Sequence, residues 1–93
     1  MSVREQLIAK LSHAFDPVRL DVTDESARHA GHAGARPEGE THFRVEVVSD
    51  AFQGLSRVAR QRLVHQALAE EMETRVHALS LATLTPEEDA GTP

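Results

Sequence analysis

Histidines are the residues of this 93-residue chain whose type and spacing could support chemistry, and the chain has no cysteine to accompany them. His29 and His32 lie three residues apart in a glycine-rich stretch, and His77 opens a run of alternating apolar residues. Imidazoles ligate borderline metals, but a stable protein site usually has four ligands and often includes thiolates. We therefore expect weak metal binding by the chain alone and stronger binding with a partner that supplies sulfur.

The other three histidines have a less specific context. His13 and His65 fall within predicted helices, and His42 falls on the solvent-facing phase of a predicted strand. No second group of histidines surrounds any of them, so the sequence predicts three ordinary surface residues.

The bulk composition limits the function classes. A formal net charge of −5 argues against a general nucleic-acid binder, because phosphate affinity requires a surplus of Lys and Arg. The N-terminal residues do not resemble a signal peptide, and no apolar run is long enough to span a membrane. The sequence also lacks an activated nucleophile, a phosphate-binding glycine loop and a paired-carboxylate motif. We expect a cytoplasmic protein that is not an enzyme and has no membrane partner.

Five segments are predicted to position the histidines. Apolar residues at helical spacing predict a helix over Val3–Phe15, and strict alternation predicts strands over Val18–Thr23 and Thr41–Val48. Ser56 is a suitable N-cap for a helix that runs to about Glu73. A third strand is predicted over Arg75–Leu84. In its alternation His77 falls on the same face as Leu79 and Leu81.

The connections between these segments predict the topology. A loop without a helix, residues 24–39, joins the first two strands, so they should pair antiparallel. A helix joins the second and third strands, so these should run parallel through a right-handed crossover. The result is a single α+β domain, α-β-β-α-β, with a three-stranded mixed sheet and helices packed on one face. Residues 1–85 form this domain, and residues 86–93 are expected to be a short, frayed polar tail.

Several motifs, in their order along the chain, resemble those of the BolA-like proteins. The resemblance covers nearly the whole chain. The common Arg-His-Arg of the helix reads Arg-Gln-Arg here, with Gln61 in the middle. The residues that carry the resemblance are Asp24–His29, Gly39–Val45, Val48–Gly54, Arg60–Val64 and Val76–Leu81.

The resemblance implies a fold similar to a class II KH domain and a partnership with monothiol glutaredoxins. In that partnership a [2Fe–2S] cluster is held between the two proteins, with glutathione, for iron–sulfur trafficking or iron sensing. The family's signature histidine corresponds to His77, and its variable loop ligand corresponds to His29 or His32. No cluster is expected in the isolated chain.

The alternative function is a KH-like, nucleic-acid-binding transcriptional regulator. Its contacts, or contacts to a protein partner, would come from Arg57, Arg60 and Arg62 on the second helix. KH domains clamp the nucleic-acid backbone with a Gly-x-x-Gly loop, whereas this chain offers only Gly54 at the equivalent turn. Nucleic-acid binding is therefore expected to be weak.

Overall fold

A three-stranded mixed sheet organises the protein, whose computed structural model describes residues 2–25 and 42–91. The strands are β1 (Arg19–Asp24), β2 (His42–Val48) and β3 (Ala78–Leu84), in the spatial order β1-β2-β3. β1 pairs antiparallel with β2, and β2 pairs parallel with β3, as the connections predicted. The expected α+β class and mixed sheet are confirmed.

Four helices accompany the sheet among the described residues: α1 (Val3–Phe15), α2 (Arg57–Ala67), α3 (Ala69–Thr74) and α4 (Pro86–Ala90). Side chains cap three of them. Ser2 and Glu5 form a capping box at the start of α1, and the Ser56 hydroxyl accepts from the Ala59 N–H at the start of α2, as predicted. A short 3₁₀ turn, Asp50–Phe52, follows β2.

The hydrophobic core lies between one face of the sheet and the helices. Leu7 and Leu11 of α1 are fully buried against the sheet residues Val45 and Val47, which are equally inaccessible. Such burial contributes about 1.5–3 kcal/mol for each large apolar side chain relative to exposure. The rest of the buried cluster consists of Val3, Phe15, Val22, Phe43, Phe52, Val64, Leu68 and Val76.

The predicted second helix is interrupted at Leu68, which separates α2 from α3 and is itself fully buried. After the interruption, α3 places the buried carboxylate of Glu71 against α1, where Lys10 Nζ lies 2.7 Å from Glu71 Oε2. The hydrogen bond to Glu71 raises the pKa of Lys10. The contact with α1 explains why a glutamate is tolerated at this helix end, where the helix dipole favours a cation.

Two expectations near the C-terminus are wrong. The third strand begins at Ala78 instead of Arg75, because the chain first turns after α3 and only then pairs with β2. Residues 86–90 are not a frayed tail but the helix α4. Thr85 and Glu88 form a capping box there, and Pro86 occupies the first helical turn, where its missing N–H costs nothing.

Each of three consecutive acidic residues of α4 contacts a different part of the fold. Glu87 Oε2 accepts from Gln53 Nε2 at 2.6 Å, and Glu88 pairs with Arg60 of α2, also at 2.6 Å. Asp89 pairs with Arg19 of β1 at 2.8 Å. Successive helical residues point about 100° apart, which explains how three neighbours reach three partners. These contacts hold α4 against the end of the sheet where β1 starts and β3 ends.

Candidate metal-ligand site

His77 lies in a backbone bend between α3 and β3, and its side chain is exposed. The preceding Val76 is 4% exposed and anchors the bend in the core. The Glu71 carbonyl, which accepts from both the Arg75 and Val76 N–H groups at 2.9 Å, fixes the same turn. The prediction that His77 lies within the third strand is wrong, because His77 occupies the bend that precedes β3.

His42 lies beside His77. The two ring centroids are 6.3 Å apart, and the ring planes meet at 64°. His42 is half-buried and is the first residue of β2, where it pairs with Ala78, the first residue of β3. Parallel strands begin at the same end of a sheet, so residues at two strand starts become neighbours.

Strand alternation predicts His42 as an ordinary surface residue, so its position beside His77 was not predicted. A signal was available in the sequence. His42 opens one strand, His77 lies at the start of the next, and the helical crossover between them predicts a parallel pair.

The loop candidates His29 and His32 lie outside the described residues. The residues on either side of the segment that contains them are placed: Glu25 follows β1, and its N–H donates to the His42 carbonyl at 2.8 Å. The segment therefore leaves and rejoins the fold at the end of the sheet that carries His77.

The donor set at this end is incomplete as a metal site. Across residues 2–25 and 42–91, no group of three or more His, Asp or Glu side chains could hold a metal ion, and the chain has no cysteine. Two imidazoles supply half of a four-ligand sphere. Rieske clusters have two histidines in place of two thiolates on one iron, so the donor chemistry fits a [2Fe–2S] cluster whose other ligands come from elsewhere.

The three candidate arginines of α2 differ in their surroundings. The Arg60 side chain is only 11% exposed and pairs with Glu88. It also donates to the Leu55 carbonyl at 3.0 Å and the Thr83 carbonyl at 3.1 Å. The expectation of Arg60 as an outward contact is corrected, because its guanidinium joins α2 to β3 and α4. Arg57 and Arg62 are exposed.

The family comparison agrees with the fold. The family model described as "BolA-like protein" matches residues 11–88, which is most of the chain. The chain belongs to the BolA-like family. A solved structure of the BolA domain of SufE1 from Arabidopsis thaliana superposes with a TM-score of 0.83 at 45% identity, covering 95% of this chain and 96% of that one.

Two curated proteins show how varied the BolA-like relatives are. "SufE-like protein 1, chloroplastic/mitochondrial" of Arabidopsis thaliana is 48% identical over 92 residues, which cover 95% of this chain but only 24% of that protein. The "DNA-binding transcriptional regulator BolA" of Escherichia coli (strain K12) is 47% identical over 91 residues, which cover 98% of this chain and 83% of that protein. This BolA-like chain thus spans about a quarter of the first relative. None of its described helices is long and apolar enough to cross a membrane.

Proposed function

We propose that this BolA-like chain is a non-catalytic adaptor that donates imidazole ligands to a [2Fe–2S] cluster shared with a monothiol glutaredoxin and its glutathione. The observation that carries the proposal is the exposed position of His77 at the end of the sheet where the His29 and His32 segment is anchored. The absence of cysteine supports a partnership, because the thiolates must then come from the partner.

The role of the chain in this mechanism is to present ligands. The buried Val76 and the hydrogen bonds to the Glu71 carbonyl fix the backbone on the N-terminal side of His77, so its imidazole is presented from an ordered turn. When bound, the cluster supplies one-electron redox chemistry and is itself the material that is delivered or sensed. Imidazole ligation raises the reduction potential of such a cluster relative to thiolate ligation.

The histidine assignment is tested by reconstituting the chain with a monothiol glutaredoxin, iron, sulfide and glutathione. We expect His77→Ala to abolish the visible absorption and circular dichroism of the mixed cluster while the two proteins still associate. We expect His29→Ala or His32→Ala alone to weaken these signals only partly, with His29→Ala the more damaging, because either loop histidine can replace the other.

His65→Ala is the matched control, because it removes an exposed histidine of α2. An unchanged spectrum for His77→Ala in a complex that remains associated would contradict the assignment of His77 as a ligand. The isolated chain, treated in the same way, should form no stable cluster. A stoichiometric, stable cluster in the chain alone would contradict the partnership.

The proposed compartment is the cytoplasm, in keeping with a chain that has no cysteine. The relative named for chloroplasts and mitochondria makes an organelle the alternative. Fractionation of the source cells with an antibody to the chain distinguishes the two.

The second candidate function is nucleic-acid binding in transcription. Two observations favour it: Arg57 and Arg62 are exposed on α2, and one relative is named as a DNA-binding transcriptional regulator. The net charge of −5 opposes it.

A further inference from the structure

We propose that His42 and His77 form a two-imidazole chelate for a transition-metal ion, so that the second imidazole ligand is supplied by β2. The proposal adds a residue that neither the sequence motifs nor the spacing of the loop histidines pointed to. It goes beyond the proposed function, because it concerns a free ion bound by the isolated chain and leaves His29 and His32 as the loop candidates for the shared cluster.

The distance between the rings suits a shared ion. A Zn²⁺–N bond is about 2.0–2.1 Å, which places a ring centroid roughly 3 Å from the metal. Two imidazoles on one tetrahedral ion therefore have centroids about 5 Å apart, and two on a linear ion have centroids about 6 Å apart. The observed 6.3 Å is close to this range. Rotation about side-chain torsions of the exposed His77 is sufficient to close the difference.

The backbone keeps the two residues together. His42 pairs with Ala78 in the parallel ladder, and His77 is covalently joined to Ala78. The ladder continues through six further residue pairs to Val48 and Leu84, so the strand starts cannot separate without breaking it. A ligand from a strand start loses less conformational entropy on metal binding than a ligand from a long loop, because every loop residue that becomes fixed loses backbone freedom.

The other ligands must come from outside this pair, because no described carboxylate or histidine completes a group of three. Two adjacent coordination positions stay available for thiolates of a second protein or for water. The pair is therefore a half-site, which binds a free ion moderately and a partner-held metal centre more tightly.

The experiment titrates Zn²⁺ into the isolated chain by calorimetry, in a His29→Ala, His32→Ala background that removes chelation by the loop. We expect His42→Gln and His77→Gln each to weaken Zn²⁺ binding by about tenfold or more, because each removes the advantage of a second linked ligand. The double variant should be little weaker than either single variant. His65→Gln, on α2, should leave the affinity unchanged. An affinity unaffected by His42→Gln would overturn the proposal.

A second measurement needs no substitution of the two site histidines. In the loop background with both site histidines intact, Zn²⁺ should shift the imidazole nitrogen resonances of His42 and His77 together, and at the same metal concentration. A shift confined to one of these histidines overturns the chelate.

The chelate and the glutaredoxin partnership can fail separately. Zinc binding that depends on both histidines, with no cluster in the glutaredoxin mixture, supports the chelate and rejects the proposed function. A mixed cluster that is lost with His77→Gln, together with zinc binding that is unaffected by His42→Gln, supports the proposed function and rejects the chelate.

Discussion

Thr83 of β3 has a buried hydroxyl whose position is energetically unfavourable. The residue is 6% exposed, and Thr83 Oγ1 has no hydrogen-bond partner among the described residues. Burying a hydroxyl without a hydrogen bond costs about 1–3 kcal/mol according to mutational data. Its backbone carbonyl, in contrast, accepts from Arg60. The hydroxyl is therefore the part of this residue that can be removed without losing a described contact.

We expect Thr83→Val to raise the free energy of unfolding by about 1 kcal/mol. Valine has nearly the same shape as threonine and removes only the unpaired hydroxyl. Urea denaturation followed by far-ultraviolet circular dichroism measures the change.

Thr85→Val is the matched control, since it makes the same exchange two residues away, at a hydroxyl that is used. Thr85 Oγ1 accepts from the Glu88 N–H at the start of α4. Loss of such an N-cap costs about 0.5–2 kcal/mol, so Thr85→Val should lower the free energy of unfolding. Equal and unfavourable effects of the two substitutions would show that the Thr83 hydroxyl has a partner after all.

For individual residues, the sequence shows the type of each side chain but does not show which other side chains surround it in the fold. Glu71 stands in a run of glutamates on a predicted helix, and nothing local distinguishes it from its neighbours. Its burial beside Lys10 depends on how α1 and α3 meet, and the two residues are 61 positions apart. A contact of that separation is a tertiary property that no short pattern encodes.

The helix α4 depends on charge for its attachment to the rest of the fold. Hydrogen bonds from Arg60 lower the pKa of Glu88 to about 2. The pKa values of Glu87 and Asp89 are also lowered, by Gln53 and Arg19 respectively. The folded state therefore binds fewer protons than the unfolded state at these three groups. Their contribution to stability is complete above the unfolded values, near 4–4.5, and is lost as the pH falls through the folded ones.

We expect the wild type to lose stability more steeply than Glu88→Gln between about pH 4.5 and pH 2. The variant has no carboxylate to protonate at this position, so its dependence on pH should be shallower. Urea unfolding at a series of pH values measures both slopes. Glu73→Gln, which removes an exposed carboxylate of α3, should retain the slope of the wild type. Identical slopes for the wild type and Glu88→Gln would contradict the electrostatic attachment of α4.

Elements with strong periodicity were predicted well, and a short one was missed. The alternation of Phe43, Val45 and Val47 identified β2, because one buried face imposes a period of two. The helix α4 has only five residues and no apolar stripe, so its polar composition suggested a tail. The residues Thr85-Pro86-Glu87-Glu88 nevertheless contain a capping box with proline in the first turn, which is a recognisable helix start.

The charge of the whole molecule bears on the nucleic-acid-binding alternative. A net charge of −5 repels a phosphate backbone, and the internal pairing of Arg60 leaves Arg57 and Arg62 as the exposed candidates on α2. Electrostatic affinity for DNA rises with the number of phosphates neutralised, so two such contacts support only weak binding.

We expect binding of labelled duplex DNA to be weak at physiological salt and to fall further in Arg57→Gln and Arg62→Gln. Each arginine that contacts a phosphate should reduce the salt-dependence slope by about one when it is removed. Fluorescence anisotropy over a range of salt concentrations measures both quantities. Arg75→Gln, at an exposed site after α3, is the control. Tight, sequence-specific binding that is lost with Arg57→Gln or Arg62→Gln would make transcriptional regulation the leading proposal.

For the molecule as a whole, the type of connection between two strands predicted their relative direction, which local composition does not predict. A loop between β1 and β2 and a helix between β2 and β3 determined the strand directions, which are those observed. The partners of individual side chains did not follow from topology. Predicting that His42 and His77 are neighbours requires the register of β2 against β3. A shift of one residue in that register would turn the side chains of one strand to the opposite face of the sheet.

The sheet also gives the molecule two unlike ends. His42 and His77 occupy the end at which β2 and β3 start, whereas α4 follows β3 at the other end. Seven paired residues separate these ends, which corresponds to roughly 20 Å of extended strand. A second domain or an affinity tag joined behind α4 would thus begin on the far side of the sheet from the imidazoles. The fold is therefore suited to fusions behind α4, in which its histidine end faces away from the junction.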